Sequence, residues 1–239
     1  TQPVVNVAFS PDGHTLLSSG YDSTVRLWPV PGPARLGQVV LPGHQGRIAG
    51  IAFSPDGRTL ASAGDDRTLR LWSVGSRAPL ATFRSPSANA FEAVAFSPDG
   101  RLLASGGGDG VVRLWDPRAR RPDGRLPGGV RGAIHGIAIS PDGERLAAVG
   151  DDGRLRVWDL ADRRLLDYPG TGRQGPVWSV AFAPDGRTIA TAGVDTVRLW
   201  DAQTGAQREE LPLLGELGPP LSVVFSPDGR RLAIGIVRG

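Results

Sequence analysis

Cysteine is absent from the 239 residues, which excludes disulfides and any zinc site built on thiolates. Lysine is absent too, so all 27 basic residues are arginine. A phosphate-cradling loop ending in Gly-Lys-Ser/Thr is therefore excluded, and so is Schiff-base chemistry. Histidine occurs three times, at His14, His44 and His135, too few for a histidine-rich metal site. Aromatic residues make up 6% and offer little surface for stacking bases. No apolar run approaches the roughly 18–20 residues of a membrane span. With no methionine and no signal peptide, the sequence is expected to be a piece of a longer chain. Against these absences stand 34 glycines, 21 prolines and a 40% hydrophobic fraction. That composition is turn-rich, yet apolar enough for a core, and is neither disordered nor collagen-like.

The turn residues recur in step. Ser-Pro-Asp-Gly stands at Ser10–Gly13, Ser54–Gly57, Ser97–Gly100, Ser140–Gly143 and Ser226–Gly229, with a near copy at Ala183–Gly186. Its prolines are spaced 44, 43, 43, 43 and 43. A second mark, Arg-Leu/Val-Trp, ends at Trp28, Trp72, Trp115, Trp158 and Trp200, spaced 44, 43, 43 and 42. Two marks in one register define a repeat, with units of about 1–43, 44–86, 87–129, 130–172, 173–215 and a partial 216–239.

Each unit reads as short strands and tight turns. In the second, the apolar run Ile48–Phe53 precedes a Ser-Pro-Asp-Gly turn, where proline presets φ and glycine accepts the left-handed position. Thr59–Ala63 follows, then a Gly-Asp-Asp turn, the alternating Thr68–Trp72 and a weaker strand near Leu80–Phe83. No stretch has a 3.6-residue apolar period, so no helix is expected. Four antiparallel strands in about 40–45 residues is the period of a propeller blade.

Phrases such as VAFSPDGRTIATAGVDTVRLWD resemble the WD-repeat β-propeller family over nearly the whole chain. Trp115-Asp116, Trp158-Asp159 and Trp200-Asp201 carry its dipeptide, whereas Trp28-Pro29 and Trp72-Ser73 depart from it. The expected fold is all-β: five full four-stranded blades and a partial sixth, forming part of a larger, seven-blade ring.

The resemblance implies that His44, Ser62, Asp66 and Trp72 meet in a buried structural network. Ser, His and Asp together would mimic a hydrolase triad, but a serine inside a sheet meets no substrate, so no catalytic role is assigned. The later units lose the network. His44 is replaced by Ser87, Val130, Arg173 and Glu216, and Ser62 by Ala148 in the fourth unit, while Asp66 corresponds to Asp22, Asp109, Asp152 and Asp195. Most blades are therefore expected to rely on apolar packing around their tryptophans.

Function should lie where the repeat varies at exposed places. Two residues before each Val/Ile-Ala-Phe phase stand Val5, Ala49, Glu92, His135, Trp178 and Leu221, and two earlier again Pro3, Arg47, Ala90, Ala133, Pro176 and Pro219. Near the second turn, Tyr21, Asp65, Gly108, Asp151 and Val194 vary. By resemblance these ring the top face, the usual partner surface. Trp178, Tyr21, Arg47 and His135 are the candidate contacts, since Trp, Tyr and Arg are enriched in hot spots. Glu92, Asp65 and Asp151 are candidate acidic contacts.

The net charge of +3 raises nucleic acid as a partner, but the arginines are spread around the repeat. The one cluster, Arg118, Arg120, Arg121 and Arg125, reads as a solvated loop. The expected function is a protein–protein interaction scaffold or sensor within a larger bacterial signalling or regulatory protein. It is expected to be cytoplasmic and fused to other domains, to bind a protein or peptide, and to need no cofactor or metal. An RNA-binding propeller is the alternative. A propeller enzyme is less favoured, because the channel-lining strands are almost wholly Val, Ile, Ala and Phe.

Overall fold

The structure, a computed structural model, describes residues 2–30, 39–166, 168, 175–194, 196–212 and 218–236. Arg173, Asp195 and Glu216 lie outside them. Among the described residues every regular element is a β-strand. The chain forms two compact units, Thr1–Gly108 with Arg113–Gly124, and Asp109–Val112 with Arg125–Gly239.

The first unit holds three four-stranded sheets, each strand pairing with the next in sequence. They are β1 (Val4–Phe9), β2 (Thr15–Gly20), β3 (Val25–Pro29) and β4 (Val39–Leu41); β5 (Ile48–Phe53), β6 (Thr59–Gly64), β7 (Thr68–Ser73) and β8 (Pro79–Arg84); and β9 (Phe91–Phe96), β10 (Leu103–Gly107), β11 (Arg113–Asp116) and β12 (Arg121–Arg125). The second unit continues with β13 (Ile134–Ile139), β14 (Arg145–Gly150), β15 (Arg156–Asp159) and β16 (Arg164–Leu166), then β17 (Ser179–Phe182), β18 (Thr188–Ala192), β19 (Thr196–Asp201) and β20 (Gln207–Pro212). A two-stranded sheet, β21 (Pro220–Phe225) and β22 (Leu232–Ile236), follows. Within each unit the first strands of successive sheets are neighbours: β1, β5 and β9 in one, β13, β17 and β21 in the other. These are the blades that the repeat implies.

The Ser-Pro-Asp-Gly turns join first to second strands by a closed set of bonds. The Ser54 hydroxyl donates to Asp56 Oδ1 at 2.6 Å and accepts the Thr59 N–H at 2.9 Å. The Arg58 N–H donates to the same carboxylate at 3.0 Å, and the Gly57 N–H to the Ser54 carbonyl at 2.8 Å. Gly57 has φ +68°, a conformation that costs an L residue roughly 1–2 kcal/mol. The Ser54 hydroxyl, and after it the Arg58 N–H, hold the Asp56 carboxyl below its ordinary range. Turns between third and fourth strands place Arg77, Arg120 and Arg163 at φ +62°, +54° and +51°, where the fifth repeat has Gly205 at +72°.

Packing between sheets is apolar and alternates by face. In the first unit Leu17, Val25 and Leu27 meet Leu60 and Trp72 of the next sheet. Ala61, Leu69, Leu71 and Phe83 in turn meet Phe91, Leu103 and Trp115. In the second unit Val149, Leu155 and Val157 pack with Ile189 and Trp200. Trp72, Trp115, Trp158 and Trp200 are buried and Trp28 is half-buried. The polar bond on these rings persists further than the repeat suggests. Indole N–H groups donate to Ser18, Ser62, Ser105 and Thr191 at 2.8–2.9 Å. Trp158 has Ala148 in place of that hydroxyl and donates to the Pro127 carbonyl at 2.7 Å.

Two outcomes are expected. Trp72→Ala should cost about 3–5 kcal/mol in denaturant unfolding, as truncation of a buried large aromatic does. Ser54→Ala should raise the Asp56 pKa toward its ordinary value, read by carboxyl NMR titration.

Candidate functional site

The variable first-strand positions have a structural cause. In β1 the ladder to β2 skips Val5, and in β5 the ladder to β6 skips Ala49. Glu92, His135 and Leu221 are skipped in the same way in β9, β13 and β21. Each is the extra residue of a β-bulge, which re-aims one side chain without a partner in the ladder. Trp178 immediately precedes β17 and donates its backbone N–H to the Ala192 carbonyl at 2.8 Å. The bulges were not visible in the sequence. Their signal was there, as one free position in an otherwise constant strand.

In the first unit these positions assemble around Arg47. Its guanidinium grips Asp65 with two bonds of 3.2 Å and reaches Glu92 Oε2 at 3.2 Å. It also lies 5.8 Å from the centre of the Tyr21 ring, within cation–π range. The Asp65 bond outweighs burial and holds the Arg47 pKa above its ordinary value. Tyr21 is 52% exposed, and the Asp65 side chain is 41% exposed. The sequence named these four residues separately; that Arg47 meets Glu92, 45 residues on, follows from packing of adjacent first strands.

The second unit has its own group. His135 Nε2 lies 2.7 Å from Asp151 Oδ1, and its ring stacks on Trp178 with centres 4.5 Å apart, tilted 37°. The Ala133 N–H donates to Asp151 Oδ2 at 2.7 Å. Burial works to raise the Asp151 pKa, but the Ala133 and His135 bonds outweigh it and lower it. The Asp151 side chain is 44% exposed. Trp178 is half-buried, and its indole N–H has no acceptor among the described residues.

His44, Ser62, Asp66 and Trp72 lie together inside the second sheet. His44 Nδ1 is 3.0 Å from both Asp66 oxygens, and Nε2 is 2.8 Å from Ser62 Oγ, which also accepts the Trp72 indole N–H. Ser62 is fully buried, so its hydroxyl has no path to a substrate. Thr68, which the sequence reading did not include, donates to Asp66 at 2.7 Å. Burial would raise the Asp66 pKa, but the His44 and Thr68 bonds hold it well below the carboxylate range.

The arginines of the Arg-Leu/Val-Trp mark are largely spoken for. Arg26 pairs with Asp22 at 2.6 Å, Arg70 with Asp66 at 3.7 Å, Arg156 with Asp152 at 2.7 Å and Arg198 with Glu210 at 3.2 Å. Among the described residues no group of three His, Asp or Glu side chains is placed to hold a metal ion, and no helix is long and apolar enough to cross a membrane.

The family model described as WD domain, G-beta repeat matches residues 1–29, 37–73, 77–116, 122–159 and 165–201. A search of curated proteins found no match.

The low pKa of Asp66 sets the sign of a pH effect. A depressed carboxylate contributes stability above its unfolded pKa of about 3.9, and loses it as pH falls toward the folded value. Asp66→Asn should therefore be less stable than wild type at neutral pH, by about 1–3 kcal/mol for unmet buried bonds. The gap should shrink toward pH 3, measured by urea unfolding at both pH values.

Proposed function

The chain belongs to the WD40-repeat family, whose domains generally mediate protein–protein interaction, and we propose that it is a scaffold or sensor that holds a polypeptide partner on its variable face. The observation that carries this reading is the placement of aromatic and charged side chains at bulge and turn positions. Tyr21 with Arg47, Asp65 and Glu92 forms one contact group, and Trp178 with His135 and Asp151 forms another. Both offer an aromatic ring beside an exposed carboxylate, a combination suited to peptide side chains and backbone N–H groups. Trp, Tyr and Arg are the residue types that dominate binding energy.

The same groups weigh against RNA. A phosphate backbone would meet Asp65 and Glu92 at the first group and Asp151 at the second, and Arg26, Arg70, Arg156 and Arg198 are held by carboxylates within their own blades. Polyanion binding needs unpaired cations. The proposal extends to context: a module fused to other domains in a bacterial signalling or regulatory protein of the cytoplasm. Its support is the family resemblance and the lysine-free, Ala-, Gly- and Pro-rich composition, which suggests a GC-rich coding sequence.

Affinity capture from an extract of the source organism tests the reading, comparing wild type with Tyr21→Ala/Trp178→Ala. A polypeptide retained by wild type and lost by the variant is expected. Trp178→Ala alone should weaken binding by about 2 kcal/mol or more with the melting temperature nearly unchanged. A sharp fall in melting temperature would instead make Trp178 part of the core. Capture of RNA that persists at raised salt would replace the reading, whereas RNA that washes off with salt is held by nonspecific charge.

A further inference from the structure

The second and fourth sheets share one feature at the end that carries the variable positions. Among the turn residues Tyr21, Asp65, Gly108, Asp151 and Val194, only Asp65 and Asp151 are acidic. Both sit at the same place in the backbone. The Asp65 N–H donates to the Arg47 carbonyl at 2.9 Å, and the Asp151 N–H donates to the Ala133 carbonyl at 3.0 Å. Arg47 and Ala133 are thus equivalent, and the two carboxylates differ in what stands opposite them. Asp65 takes both prongs of the Arg47 guanidinium, Nε on Oδ2 and Nη2 on Oδ1, each at 3.2 Å. Asp151 faces alanine, and among the described residues no guanidinium pairs with it.

The hydrogen bonds of Asp151 leave it able to accept one. Its Oδ1 meets His135 Nε2 and its Oδ2 accepts the Ala133 N–H, each at 2.7 Å. A carboxylate oxygen takes two hydrogen bonds, so each oxygen keeps one acceptor site, the pair that a two-pronged guanidinium needs. The side chain is as open to solvent as that of Asp65, 44% against 41%. The charge at this place is negative. The adjacent Asp152 is met by the Arg156 guanidinium at 2.7 Å and by the backbone N–H groups of Arg131 and Arg154. The His135 imidazole, unlike a guanidinium, carries a charge only when protonated. An aromatic ring is at hand as well. Arg47 lies 5.8 Å from the centre of the Tyr21 ring. Beside Asp151 the ring is that of Trp178, stacked on His135 with centres 4.5 Å apart, and tryptophan gives a cation its best aromatic face.

We infer that Asp151 and Trp178 take an arginine side chain presented by the polypeptide partner, as Asp65 takes Arg47 within the chain. The guanidinium forks onto the two oxygens of Asp151, and the Trp178 ring meets its face. The inference rests on the reading of the variable face as a partner surface, and it names the side chain that the second contact group selects. The first group, with Arg47 already on Asp65 and Glu92, does not compete for it. A fork onto a carboxylate selects planar geometry as well as charge, so a neutral isostere is a poorer occupant.

The test uses the ¹⁵N-labelled 239-residue chain with acetyl-Ala-Gly-Arg-Gly-Ala-amide and its citrulline analogue, which keeps the shape of arginine without the charge. The arginine peptide should give saturable shifts at Asp151, His135 and the Trp178 indole. The citrulline peptide should bind at least about tenfold more weakly. Ala133→Arg copies the Arg47 arrangement, so its own guanidinium should take Asp151 and weaken the arginine peptide by about tenfold or more. Asp151→Asn should lose as much, and Arg47→Ala should gain a second set of saturable shifts at Tyr21 and Asp65. The site would be overturned by no saturable shift at low-millimolar peptide, by equal binding of the citrulline peptide, or by matching shifts at Asp65 in wild type. Undiminished affinity in Ala133→Arg or Asp151→Asn, or no second set in Arg47→Ala, would overturn it equally. The wider reading stands or falls separately, on whether wild type retains a polypeptide that Tyr21→Ala/Trp178→Ala loses.

Discussion

The third-strand indole is the point on which each full blade depends. At Trp72, Trp115 and Trp200 the ring fills the space between neighbouring sheets, and its N–H must find an acceptor there, because a buried unmet donor costs about 1–3 kcal/mol. Ser18, Ser62, Ser105 and Thr191 supply that acceptor from the neighbouring strand. Where Ala148 removes it, the chain brings the Pro127 carbonyl into reach. The apolar clusters can then close around Trp72, Trp115 and Trp200 without a polar debt. The His44–Asp66 network adds a second layer in one blade, tying the approach to β5 to the turn that leads into β7.

The two ends of a blade follow different rules. At one end serine, aspartate and glycine bind each other so completely that little can change: the hydroxyl, the carboxylate and the left-handed glycine are all committed. At the other end the backbone bonds are made by main-chain groups, as between Asp65 and Arg47, and the side chains are released for contact.

Much of this was legible because it is local. Proline, aspartate and glycine set the turns, and β-branched and alternating residues set the strands within ten residues of one another. The meeting of His44 with Ser62 and Asp66 was legible through resemblance to a family, not through spacing. What could not be read was contact made by stacking sheets. The bond from Trp158 to Pro127 spans 31 residues, and no local pattern marks Pro127 as an acceptor. The bond from Arg47 to Glu92 spans 45 and depends on how β5 and β9 lie side by side. The stack of His135 on Trp178 likewise joins neighbouring blades, and aromatic counting alone gives no register for it.

The bulge has an evolutionary consequence. A residue outside the ladder contributes nothing to strand registry, so exchanging it leaves the sheet's hydrogen bonds untouched. Val5, Ala49, Glu92, His135 and Leu221 span apolar, acidic and imidazole chemistry on strands that otherwise scarcely differ. Each of these five bulges thus supplies one slot whose exchange leaves the backbone ladder intact. Duplication of such a unit copies the scaffold and the slot together, and new recognition can arise by point substitution without first regaining stability.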